Sequence, residues 1–446
     1  MEKNTMKKRK LTIEEGLYLL LAGTALLALI LYVSFCLDNL MHSDTTAEVI
    51  LSKFLADRNE LISKEWFYST EIRVIYTQLV MVPLFKIFSS YRLVKLLSVF
   101  IYYAVLLYAW HMLTKRFTLE KKWIFLGLAL LLAPLSNEYL DMMFIGCFYT
   151  TQTICMYLVL SFVLKEKKNR KMWIREGIVL SILSVLLGMT GLRYLASLYL
   201  PMLLAFLLFP VLERDGNKKE NWQNITFSLL LTGFAGIGFL INKFYLAVQY
   251  SFDTTSEVSF VPIDEIPDRF LTSIRLMLEF MGYHQIRVVT PLGIVNAVKC
   301  LFFLAFIAMI VALFRKRMEL TGKERFLLYF FLLLFLINWY MLIFTDVLQQ
   351  YRYWLPVYVT GAVLICVFMQ HFRPATVFQK PLLCAFLALV VLSSLYGELW
   401  QDVKYNDCAK RYAYMDFLEN NDYDFGYATF WNASVTCLLY TSPSPR

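Results

Sequence analysis

Four carboxylates and two arginines hold positions in this chain from which they could do chemistry. Asp44 and Glu48, in Ser43-Asp44-Thr45-Thr46-Ala47-Glu48, are four residues apart and share one face of a helix. Glu138 and Asp141, in Ser136-Asn137-Glu138-Tyr139-Leu140-Asp141, are three apart and share a face in the same way. A carboxylate so placed can take a proton from an acceptor hydroxyl as general base. A pair of them can hold a divalent cation, Mg or Mn, against a phosphate leaving group. Arg193, in Gly188-Met189-Thr190-Gly191-Leu192-Arg193, and Arg352, in Gln350-Tyr351-Arg352-Tyr353-Trp354-Leu355-Pro356, lie beside apolar runs. Arginine grips phosphate through a planar fork of donors, so both are candidates for binding the phosphate of a lipid carrier. Asp38, His42, Trp66, Tyr68, Glu71 and Arg73 are weaker candidates; aromatics at an interface ordinarily anchor the chain.

The elements that must position these residues are membrane helices. The chain is 59% hydrophobic and 17% charged, with a mean hydropathy of +0.56, against about 25% charged for a soluble domain. Its apolar runs are continuous, which predicts an all-α polytopic bundle and not a barrel. Eleven spans are expected, near 14–37, 93–113, 123–135, 144–164, 174–190, 195–212, 222–242, 292–314, 326–345, 351–369 and 381–397. The first run is too long for a signal peptide and reads as an uncleaved helix.

Lys/Arg-rich connections such as Lys115-Arg116, Lys165–Lys171 and Arg315-Lys316-Arg317 fall on one side of this arrangement, which puts the N-terminus inside and the C-terminus outside. The net charge of +9 serves topology and calls for no nucleic-acid partner. All the candidate residues then face outward. Two outer segments are long. Residues 38–92 contain helical apolar spacing at 47–56 and an interfacial stretch at 74–88; residues 243–290 contain a short helix near 269–281. Most of the eight Cys lie in apolar runs as small hydrophobes, and no spacing suggests a disulfide framework or a zinc site.

Residues 1–398 read as the membrane domain and 399–436 as the start of an outer soluble domain, with a strand beginning near Tyr423–Trp431. Residues 437–446 resemble the translated end of a sequencing-library adapter and are set apart from the fold.

Three features together resemble the bacterial membrane glycosyltransferases of the C superfamily, of the protein-mannosyltransferase and lipid A aminoarabinose-transferase type. They are a long first outer loop carrying Asp44 just after the first helix, the second acidic pair Glu138/Asp141, and the late Arg352-Tyr353-x-x-Pro356 motif. The resemblance covers roughly residues 10–400. It implies a polyprenyl-phosphate sugar donor, a glycan, lipid or protein acceptor, and inverting transfer at the outer face of the cytoplasmic membrane. Asp44 would be the general base, and Arg352, with Arg193, would bind the lipid phosphate. The family's acidic motif is often two aspartates one residue apart, where this chain has Ser43-Asp44, so a metal ion is left open. A polysaccharide polymerase or ligase, and a multispan transporter or flippase, are the alternatives, with a non-catalytic lipid scaffold behind them. A transporter would place charges deep within several spans.

Overall fold

A computed structural model describes residues 11–68, 72–165, 170–212, 218–252, 258–400, 408–421, 429, 434–436 and 438. The described residues are all-helical, apart from two isolated bridges, Phe67 to Ser251 and Phe260 to Thr345. Eight helices are long and apolar enough to cross a bilayer: α1 Ile13–Leu40, α4 Tyr91–Thr114, α9 Leu192–Leu212, α10 Asn221–Gln249, α12 Pro291–Arg315, α13 Gly322–Phe344, α14 Tyr351–His371 and α15 Gln379–Trp400. The protein is a multi-pass membrane protein on that ground.

The count stands below the eleven expected for physical reasons. The third predicted span, 123–135, is the helix α5 Lys121–Leu132, which forms a pair bent by 104° with α6 Asn137–Ile145. Pro134 cannot continue the first of them, and Ser136 caps the second by accepting from the Tyr139 N–H. Counted as one span, this pair makes nine. The fourth, α7 Phe148–Val163, has only 16 residues. The fifth, α8 Arg170–Gly188, carries Arg170, Lys171, Arg175 and Glu176 in its first two turns.

The long segment after α1 folds as α2 Ser43–Arg58 and α3 Gln78–Phe85, which pack on each other. The helix expected near 269–281 is α11 Ile266–Phe280, an amphipathic helix lying against α13. Beyond residue 400 the description is confined to the helix α16 Cys408–Asn420 and a few residues after it. The expected strand near Tyr423–Trp431 and nearly all of the segment 437–446 lie outside the described residues.

At the centre is α14, the most buried of the eight, with 83% of its apolar window inside the protein. Tyrosines tie its neighbours to it. The Tyr157 hydroxyl donates to the Val359 carbonyl (2.6 Å), and Tyr358 donates to Leu130 (2.8 Å). Small residues let other helices close up: a Cβ on Gly127 would meet Cys366 of α14, and one on Gly188 would sit 2.0 Å from the Ala235 carbonyl of α10.

Candidate functional site

The site is built at one end of the bundle, where α2, α4, the bent pair α5–α6 and the start of α14 come together. Helix α1 ends at Leu40, and α2 begins at Ser43 after a two-residue extended turn. His42 is the N-cap of α2, a position that Ser, Thr, Asp or Asn fills best. Its side chain makes no capping bond. It turns instead to Asp141, whose Oδ1 lies 2.8 Å from His42 Nε2, and Thr45 Oγ1 approaches the same nitrogen at 2.9 Å. Thr46 completes the turn by donating its hydroxyl to the His42 carbonyl (2.8 Å).

Asp141 opens a π-helical turn, Asp141–Ile145, closed by the Gly146 N–H on the Asp141 carbonyl (2.8 Å). Such turns displace one residue from the helical row and are frequent at functional sites. Glu138 and Asp141 therefore belong to a helix that changes its winding at Asp141. The chain then turns through Cys147, which is left-handed (φ 60°), into α7.

Asp44 occupies the first turn of α2, where the helix dipole favours a carboxylate. It is partly buried, its charge bears on His42 and Glu48, and its carboxylate makes no hydrogen bond or ion pair among the described residues. One turn on, Glu48 accepts from the Thr77 hydroxyl (3.2 Å), with Arg73 at 4.0 Å. Burial outweighs these partners and raises the Glu48 carboxyl above its ordinary value. For His42, burial works against the imidazolium, but the bond to Asp141 and the charges of Asp141 and Asp44 overcome it. The His42 pKa is raised.

Lys95 was not among the expected residues. It lies on α4, 1% exposed, with Nζ 3.5 Å from the Gly146 carbonyl and its charge facing Asp141 and Glu48. A lysine inside an otherwise apolar run is the signal that would have found it. His42 was a weak candidate and turns out to be the contact that joins the two acidic pairs.

Arg352 belongs to the turn Tyr351–Trp354 at the start of α14. Its charge faces Glu138, and Tyr351 meets the same carboxylate. Its guanidinium makes no hydrogen bond among the described residues. Asp44, Glu48, Glu138, Asp141 and Arg352 thus form one electrostatically connected set. No family model, curated protein or solved structure matches this chain. The reading of the site therefore rests on its geometry.

Arg193 lies over the Tyr149 ring at 4.9 Å, at the opening of α9. Tyr149 follows Phe148, whose ring faces both His42 (6.3 Å between centroids) and Tyr76 (6.1 Å). Asp38 is a structural tie, bonded to Arg92 (2.8 Å) and the Tyr412 hydroxyl (3.2 Å). Trp66 packs on Phe54 and Tyr68 on Tyr250; Arg73 covers Tyr76 at 4.4 Å, and Glu71 lies outside the described residues. Burial pushes the Tyr68 hydroxyl up to about 12.

Among the described residues no three His, Cys, Asp or Glu side chains converge as a metal site. Beside the Tyr351–Trp354 turn, α11 and α13 enclose an apolar groove of about 770 Å³, lined by Ile266, Phe270, Leu271, Trp339 and Tyr340 among others.

Proposed function

We propose that the protein is a glycosyltransferase that moves a sugar from a polyprenyl-phosphate carrier to an acceptor hydroxyl, with inversion, at the outer face of a bacterial cytoplasmic membrane. In this reading the N-terminus is inside and the site faces outward. The observation that carries it is the Asp44 carboxylate: partly buried, unpaired, and set beside the His42–Asp141 couple. An unpaired carboxylate is free to accept a proton, and the neighbouring couple holds charge next to it. Asp44 takes the acceptor proton as the hydroxyl attacks the anomeric carbon; the bond to the lipid phosphate breaks, and the phosphate leaves as an anion.

Arg352 receives that anion. Its guanidinium has free donors, and the groove between α11 and α13 beside its turn offers an apolar bed for the prenyl chain. Arg193, over the Tyr149 ring, is the second candidate phosphate ligand.

The test is release of polyprenyl phosphate from lipid-linked sugar donors by purified protein. Turnover that is lost in Asp44→Asn, with donor binding retained, supports the base role. Undiminished turnover in that variant refutes it.

A second reading has one observation in its favour. Lys299 of α12 and Glu398 of α15 form an ion pair buried between two spans, 1% and 5% exposed. A buried ion pair between two spans is what a transporter or flippase can use. Solute or lipid translocation in proteoliposomes that disappears in Glu398→Gln, without donor turnover, would favour that reading.

A further inference from the structure

Residues 345–350 join α13 to the turn that carries Arg352, and they run without helix or ladder beyond the bridge at Thr345. Their backbone groups must find partners elsewhere. Arg269 of α11 supplies them. Its Nε donates to the Leu342 carbonyl (3.2 Å) and its Nη2 to the Val347 carbonyl (2.8 Å). Gln349 reaches back from the far end. Its amide nitrogen donates to the Arg269 carbonyl (2.9 Å) and to the Leu342 carbonyl (3.0 Å). Leu342 lies in the last turn of α13, where carbonyls lack a partner within the helix and a cation is favoured. One guanidinium thus spans a helix end and the connection that leaves it. A planar fork can hold both carbonyls at a set separation, whereas lysine presents a single ammonium. Arg269 has no carboxylate partner among the described residues, so its charge goes into these bonds, which are of the strong, charge-assisted kind.

Arg352 follows directly, in the turn Tyr351–Trp354 that α11 also packs against. On its other side Asn338 of α13 donates to the Tyr353 carbonyl (2.7 Å), and the Trp339 indole ties α11 to α13 by donating to Ser273 (2.8 Å). The Arg352 guanidinium itself makes no hydrogen bond among the described residues, so its place is set by its backbone. We propose that Arg269 is the positioning residue for Arg352: by clamping the α13–α14 connection it fixes where the Arg352 fork stands. The proposal rests on the reading of Arg352 as the lipid-phosphate ligand for its purpose. The clamp is geometry and stands without that reading.

Undecaprenyl phosphate and undecaprenol differ only in the phosphate and serve as the probes, bound to the full-length protein in detergent. Wild type should bind the phosphate roughly 10- to 100-fold more tightly than the alcohol, as expected of a charged hydrogen bond. Arg269→Met should lose most of that gap, as Arg352→Ala does, and keep its affinity for undecaprenol. Arg269→Lys should recover part of it. The double variant Arg269→Met/Arg352→Ala should bind no more weakly than Arg352→Ala alone, because Arg269 acts through Arg352. Amide hydrogen exchange without lipid, read on peptides covering 345–354, should speed up in Arg269→Met and stay unchanged in α12 and α15.

Unchanged exchange over 345–354 overturns the proposal, and so do losses that add in the double variant. Equal losses for the two lipids in Arg269→Met would assign Arg269 to the apolar groove and overturn it as well. If Arg269→Met fails to fold, Gln349→Leu releases the same connection and carries the same expectations; if neither folds, the contact is packing and the proposal falls. Wild type that binds the two lipids alike would refute the phosphate role of Arg352 and with it the transferase reading. The exchange rates alone would then decide whether Arg269 holds the connection.

Discussion

The imidazole of His42 and the carboxylate of Asp141 meet at 2.8 Å across 99 residues of chain. This contact fastens the start of α2 to the π-turn of α6, and so holds Asp44 in the same neighbourhood as Glu138 and Arg352. The site is one place because of it.

Asp44→Asn should lower donor turnover by about two to four orders of magnitude, the range over which general-base groups act. Donor affinity should change little. The measurement is polyprenyl-phosphate release under single-turnover conditions beside equilibrium binding of the donor. Equal losses in both would assign Asp44 to binding and remove it from the chemistry.

Arg352→Ala should weaken donor binding by roughly 10- to 100-fold, as expected from losing a charged hydrogen bond worth about 1.5–3 kcal/mol. Arg352→Lys keeps the charge without the fork and should recover only part of it. A donor dissociation constant that stays at the wild-type value in the alanine variant would exclude Arg352 from the phosphate site.

The His42 pKa lies above its ordinary value of 6.5 in the folded protein. The stabilisation from its bond to Asp141 is therefore fully present below pH 6.5 and is lost as pH rises through the folded value. Thermal unfolding in detergent should show wild type losing stability over that interval, with a flatter profile in Asp141→Asn. Parallel profiles for the two proteins would mean that the contact contributes nothing measurable.

Glu48 shifts stability with pH in the same direction as His42, against the usual behaviour of a carboxyl. Its raised pKa means that the folded protein prefers the protonated form, so stability declines as pH climbs from 4.5 through the folded value. Glu48→Gln mimics the protonated group and retains an acceptor for Thr77. It should unfold at a higher temperature than wild type at pH 7, with the gap narrowing toward pH 5. A lower unfolding temperature at pH 7 would show that the Arg73 contact outweighs burial.

Lys299→Met or Glu398→Gln alone strands one charge in the interior and should cost about 3–5 kcal/mol. The double variant Lys299→Met/Glu398→Leu should recover most of that. Additive losses in the double variant would show that the two side chains do not act as a pair.

The bundle was legible because lipid demands long apolar helices, and every predicted span falls on a helix or on the bent pair. The count was less legible. Length and charge remove α7 and α8 from the set that can cross unaided, and neither shortfall interrupts the apolar pattern a sequence presents. Asp44 and Glu138 were visible from their places beside apolar runs. His42 was visible only as a weak candidate, since its partner is remote in sequence and a lone histidine near a helix end carries no periodic signal. Lys95 escaped for a different reason: it sits one turn inside α4, where a lysine ordinarily extends its ammonium toward the membrane surface. Only the return of the chain through Gly146 places a carbonyl and two carboxylates around it. Arg193 and Arg352 looked alike in sequence; the fold sets the charge of Arg352 against Glu138 and lays Arg193 over the Tyr149 ring.

The 104° bend between α5 and α6 bears on how this protein is made. At 1.5 Å per residue, the 12 residues of α5 reach about 18 Å, well short of a hydrocarbon core of about 30 Å. The segment cannot leave the translocation machinery for lipid as an independent unit, because its broken backbone near Pro134 would go unsatisfied there. It must be held until α1 and then α14 and α15, which it packs against, are in place. Since α14 begins more than 200 residues later, the end of the bundle that carries Asp44, Asp141 and Arg352 is a late product of biogenesis, assembled only when nearly all the membrane domain has been synthesised.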